Sequence, residues 1–94
     1  MVRDPAIDRL YAALCSLESP DEAAALLSDL CTPREVEELA RRLEVAALLR
    51  EGRSYLAVSH ETGASSTTVS RVSKCLNGPV GGYCLVLDRL DQRS

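Results

Sequence analysis

Ninety-four residues with 46% apolar content are enough for one modest hydrophobic core, and a chain of this size leaves much of its surface in water. Phe and Trp are absent and Tyr numbers three, so the core must be built from Leu, Val and Ala, which favours helices. The formal net charge of −3 excludes a chain coated along its whole length by nucleic acid.

Helix starts can be read in chain order. Asp4 followed by Pro5 is an N-cap and first helical position, opening a helix through Ile7, Leu10, Leu14 and Leu17. Ser19-Pro20-Asp21-Glu22 repeats the device, with Glu22 completing a capping box before "AAALLSDL". Thr32-Pro33-Arg34-Glu35 does so a third time. Nothing interrupts the helical pattern from Pro33 to Glu51, and Gly52 supplies the stop. Ser54 caps a short fourth helix ended by Gly63, and a fifth runs from about Ser66 to Leu76. "NGPVGG" is a loop and "YCLVLDRL" a closing helix. The expected fold class is all-α, with about six helices in a single domain over 1–94. Residues 1–52 are its dimerisation helices, 54–76 a helix-turn-helix and 82–92 the C-terminal helix.

The long third helix carries one apolar stripe of Val36, Leu39, Leu43 and Ala46 or Ala47, and a second of Val45, Leu48 and Leu49. A helix apolar on two sides is buried on two sides, and a chain this short has little material to cover both. A homodimer is expected.

Charge is uneven. Residues 1–51 carry six cations against eleven anions, whereas 52–81 carry Arg53, Arg71 and Lys74 against Glu61. That small positive island falls on "HETGASSTTVSRVSKCL", a run of hydroxyls that costs helix propensity. With Thr67 at zero and about 100 degrees per residue, Val69, Val72 and Leu76 fall near 200, 140 and 180 degrees. Thr67, Ser70, Arg71 and Lys74 fall near 0, 300, 40 and 340 degrees, on the opposite face. The preceding helix is expected to bury Tyr55, Val58, Ser59 and Thr62, and Gly63 then allows a tight turn before the small Ala64. This is the helix-turn-helix arrangement. Ser59 stands where that motif usually has Ala, so its hydroxyl needs a local partner, expected to be a backbone carbonyl one turn back.

Short hydroxyls and cations suit a helix in a DNA major groove. Ser and Thr can bond a base edge or a phosphate, and Arg can take guanine O6 and N7 together. Ser65 and Ser66 lie at the helix N-terminus, where free N–H groups attract phosphate. The candidate DNA contacts are Ser65, Ser66, Thr67, Thr68, Ser70, Arg71, Lys74 and Arg53.

"LCTPRE", "LARRLEVAALLREG", "ETGAS-TTVSRV" and "GGYCLVLDRL" together resemble the Trp repressor superfamily, in particular its YerC/YecD-type branch of Trp repressor-like proteins. The resemblance runs from about Leu10 to Leu90. It implies an intertwined homodimer presenting two recognition helices to double-stranded DNA, and transcriptional regulation of a bacterial kind. In tryptophan-binding members the indole lies between two arginines that correspond to Arg42 and Arg71, with a threonine matching Thr32. Where those proteins carry glycine after the second arginine, this chain has Val72, which the wheel also places in the core. Val72 would clash with a flat bound ring, so no cofactor is expected. Arg42 has an alternative role as an ion-pair partner of Glu38 four residues earlier.

Two other function classes remain. The acidic first half suits a helical protein-interaction module that keeps the fold without reading DNA. An enzyme has no support: His60 has no nucleophile nearby in sequence, and "GPVGGY" lacks the strand-and-helix context of a phosphate loop. Cys15, Cys31, Cys75 and Cys84 form no zinc spacing and are expected to be buried or half-buried thiols in a reducing cytosol. "MVRDPAIDRL" has no apolar signal core and no run approaches the ~18 residues of a membrane helix. A soluble cytoplasmic protein, at the nucleoid when bound to DNA, is expected.

Overall fold

The computed structural model describes residues 4–93. These residues form six helices and no strand: α1 (Pro5–Cys15), α2 (Pro20–Leu30), α3 (Pro33–Arg50), α4 (Tyr55–Thr62), α5 (Ser66–Leu76) and α6 (Gly82–Arg93). "YCLVL", the one stretch with strand-like alternation, is helical. Among the described residues, no helix is long and apolar enough to cross a membrane. The chain divides into two compact units, residues 1–36 and 37–94.

In the first unit every helix start is closed by a side chain. Asp4 Oδ1 accepts from Ala6 N at 2.8 Å, with Pro5 at the first position where no N–H is needed. Ser19 Oγ accepts from Glu22 N at 3.1 Å. Glu22 does not close the expected capping box, however: its Oε1 accepts from Glu18 N at 2.8 Å, one residue before the cap. The box is complete at α3, where Thr32 Oγ1 accepts from Glu35 N at 3.2 Å and Glu35 Oε1 from Thr32 N at 2.8 Å. α1 stops at Cys15, short of Leu17, because the Ser16 hydroxyl donates to Ala13 O at 2.7 Å and closes the last turn. No residue of α1 or α2 is buried.

The second unit holds the core. Val45 and Ala46 of α3, Val58 of α4, Ala64 of the turn after it, Val69 and Val72 of α5, and Leu87 of α6 are all buried. Leu43, Ala47, Leu48, Leu49, Leu76 and Tyr83 pack around them, so the closing shell is aliphatic with one aromatic ring. α4 packs on α5 and α5 on α6. The guanidinium of Arg50 donates to Asp88 Oδ1 at 2.5 Å and to Cys84 O at 3.3 Å, fastening the end of α3 to α6. The bond to Asp88 raises the Arg50 pKa further. Of the two stripes expected on α3, Val45 is fully buried and Leu48 and Leu49 half-buried, whereas Leu39 is 46% exposed.

The Glu35 carboxylate lies below its ordinary value of 4.5, first through the Thr32 N–H bond and then through the Thr32 hydroxyl. A lowered carboxylate adds stability at neutral pH and loses it as pH falls through the folded-state value. Glu35→Gln is therefore expected to lower Tm at pH 7 and to converge on the parent below about pH 4.5, its ordinary value. A gap between the two melting curves that stays constant down to strongly acid pH contradicts this.

Candidate nucleic-acid interface

The geometry begins at the turn between α4 and α5. Ser54 Oγ caps α4 by accepting from Ala57 N at 3.1 Å. Gly63 ends it in the left-handed region at φ 74°, its N–H bonded to Ser59 O at 2.9 Å. Ala64, only 4% exposed, follows. Both of its backbone polar groups are met by hydroxyls of α4: Ala64 N donates to Thr62 Oγ1 at 3.1 Å, and Ser59 Oγ donates to Ala64 O at 2.6 Å. The Ser59 bond thus points forward into the turn, not one turn back as the sequence suggested. The backward bond belongs to Thr62, which donates to Val58 O at 2.7 Å. A buried carbonyl at the turn needs a donor more than the α4 backbone does, since the helix already satisfies itself.

Tyr55 was expected inside but is 53% exposed. Its position in the first turn lets the ring lie along the surface while the hydroxyl donates to Ser73 Oγ of α5. Ser73 is 7% exposed and is also held by Asn77, whose Nδ2 donates to Ser73 O at 2.9 Å. α5 is thereby held to α4 near both of its ends.

On α5, Val69 and Val72 are buried and Leu76 half-buried, while Thr67, Ser70, Arg71 and Lys74 are exposed. Ser66, Thr67, Ser70, Arg71 and Lys74 line one shallow open depression. Ser65 caps the helix: its Oγ accepts from Thr68 N at 3.1 Å and donates to Thr68 Oγ1 at 3.1 Å. Ser65 and Ser66 are exposed and Thr68 is half-buried. Seven of the eight residues singled out for DNA contact therefore fall on α5 or its cap. Arg53 stands elsewhere. It precedes the Ser54 cap, pairs with Glu61, and lines a separate depression with Tyr55, Ser73 and Asn77.

The two arginines singled out by resemblance come together. Arg42 of α3 and Arg71 of α5 line one cavity of about 120 Å³ with Thr68, Val72, Cys75 and Tyr83. Glu38, the alternative partner for Arg42, instead accepts from Arg41 Nη1 at 3.0 Å. Spacings of three and four residues both reach on a helix, and here Arg41 takes the carboxylate. Thr32 belongs to the other compact unit, where it caps α3. The sequence reading missed Cys75 and Tyr83. Cys31 and Cys84 are half-buried, within the expectation of buried or half-buried thiols, whereas Cys15 and Cys75 are exposed, contrary to it. Cys75 lies one turn after Arg71 on the same helix, so the wheel itself could have placed it beside the polar face. Among the described residues, no group of three His, Cys, Asp or Glu could hold a metal ion.

Ser59→Ala leaves the Ala64 carbonyl without its donor and is expected to cost about 1–3 kcal/mol in urea denaturation. An unchanged midpoint contradicts the bracing role of this hydroxyl.

Residues 6–91 match the family model described as Trp repressor protein. The uncharacterized protein YerC of Bacillus subtilis (strain 168) is 43% identical over 91 residues, covering 97% of this chain and 88% of that protein. The crystal structure of a TrpR-like protein from Eubacterium eligens ATCC 27750 superposes with a TM-score of 0.89 at 43% identity, covering 95% of this chain and 92% of that one. A candidate Trp repressor from Staphylococcus aureus gives the same TM-score at 37% identity, over 95% and 89%. With its six helices and its buried turn in place, the chain belongs to the Trp repressor family, a family of regulators.

Proposed function

We propose that this chain is a sequence-specific, DNA-binding transcriptional regulator, acting as a homodimer and read here as a repressor. One observation carries the reading: α5 buries Val69 and Val72 while Ser66, Thr67, Ser70, Arg71 and Lys74 share an open surface. Family membership supports a DNA-binding regulator. In a major groove the hydroxyls meet base edges, and the Thr methyl groups can meet thymine methyls. Arg71 and Lys74 supply the positive charge that phosphate contacts need. Arg53 joins this set only by exchanging Glu61 for a phosphate.

Tryptophan is not the proposed co-ligand. Val72 forms one wall of the depression that Arg42 and Arg71 line. Its side chain is 3% exposed and belongs to the core, so it cannot swing away to admit a ring.

The dimer is supported by large apolar side chains that stand exposed among the described residues. Ile7, Leu14 and Leu30 in the first unit are 47%, 43% and 54% exposed, and Leu85 and Leu90 on α6 are 51% and 46% exposed. Apolar surface in such amounts on so small a protein marks an association surface. Sedimentation at micromolar concentration is expected to give twice the chain mass; a stable monomer removes this part of the reading.

Selection of bound sequences from random duplex DNA, at stated salt, tests the function directly. An inverted repeat with half-sites about one helical turn apart is expected from a two-fold reader. Lys74→Ala should weaken binding about equally on all duplexes and make the log–log salt slope shallower by about 1 per subunit. Failure to retain any duplex at low salt rejects the proposal in favour of a protein-interaction module.

A further inference from the structure

Ser73 is the buried polar residue among those described, 7% exposed in a core otherwise of Val, Ala and Leu. An alanine there would nearly fill the same space and carry no polar atom that needs a partner. The hydroxyl is instead put to use. Tyr55, in the first turn of α4, donates its phenolic proton to Ser73 Oγ, and Asn77 Nδ2 donates to the same oxygen at 3.4 Å. Asn77 also holds the Ser73 carbonyl, at 2.9 Å through Nδ2 and at 3.0 Å through its backbone N–H. Tyr55 thus ends on an oxygen that the last turn of α5 already keeps in place.

The start of α5 is held separately, by the Ser59 and Thr62 hydroxyls on Ala64. Ser73 lies eight residues beyond the Ser65 cap, about 12 Å along the helix axis. Val58 and Val69 join the two helices by apolar contact, which is non-directional and lets one helix pivot on the other. A directional bond at the far end removes that freedom. Ser66, Thr67 and Ser70, the hydroxyls assigned above to base edges, all stand between the two fixed points.

We propose that Tyr55 is a positioning residue for DNA recognition: its hydroxyl, through Ser73, holds the far end of α5 so that those three side chains meet base edges in register. This role rests on the DNA-binding reading above. A binding constellation must be held to within about 0.5 Å of its productive geometry, and base edges demand that of short hydroxyls. The attraction of Arg71 and Lys74 for phosphate falls off gradually with distance and tolerates a tilted helix. Loss of the Tyr55–Ser73 bond therefore costs discrimination between sequences and spares general affinity.

The test compares the full parent chain with Tyr55→Phe, Ser73→Ala and the double variant, each well below its own melting temperature. Binding is measured on the duplex selected from the random pool and on an unrelated duplex, over a range of salt. Each single variant is expected to lower the ratio of selected to unrelated affinity about three- to tenfold, the reach of one hydrogen bond in an equilibrium constant. Affinity for the unrelated duplex and its log–log salt slope should stay as in the parent, because no cation is lost. The double variant should lose no more than either single one, since both remove the same bond. Losses that multiply in the double variant, or that occur in only one single variant, mean that Tyr55 and Ser73 act separately and overturn the proposal. An unchanged ratio, or an equal fall on both duplexes, makes the bond a matter of stability alone and overturns it as well. A parent that retains no duplex, or prefers none, ends the DNA-binding reading and this role with it, a result visible before any variant is made.

Discussion

The orientation of α5 rests on one small buried residue. Ala64 lies inside the turn, and a buried residue must have both its N–H and its carbonyl satisfied. No helix or strand ladder can do this at a turn, so Thr62 and Ser59 supply the two hydroxyls. Val58 before the turn and Val69 after it enter the same core, both fully buried. Apolar contact joins the two helices, and the two hydroxyl bonds tie the turn between them to α4. The open face of α5 follows from those two constraints, because a helix that sinks Val69 and Val72 must turn Ser70, Arg71 and Lys74 outward.

Much of this could be read before any coordinates. Helix starts were plain because Ser and Thr caps, Pro at the first position and Gly at the ends act locally. The two faces of α5 were plain because 3.6-residue periodicity needs no tertiary information. What could not be read depended on neighbours remote in sequence or on near-equal local choices. Glu38 had Arg41 and Arg42 both within reach, and spacing alone does not decide between three and four residues. The direction of the Ser59 bond depended on a carbonyl that becomes buried only when the turn closes. Tyr55 went outside because its hydroxyl had a partner in Ser73, eighteen residues away.

The meeting of Arg42 with Arg71 was visible only through resemblance, since a contact between α3 and α5 has no local signature. Resemblance carried an implied ligand with it, whereas the cavity walls bear on what can enter. Val72 is a core residue that also shapes a surface cavity. A substitution there trades packing against cavity volume, and neither changes independently of the other.

The pairing of Arg53 with Glu61 has a further consequence for the free protein. An exposed ion pair is worth only about 0–1 kcal/mol, so a competing anion can displace the carboxylate with little resistance. Until it does, that corner of the surface presents no net positive charge to distant polyanions. Long-range attraction is thereby muted and short-range exchange preserved, which leaves the protein less prone to linger on arbitrary polyelectrolytes than its cation count implies.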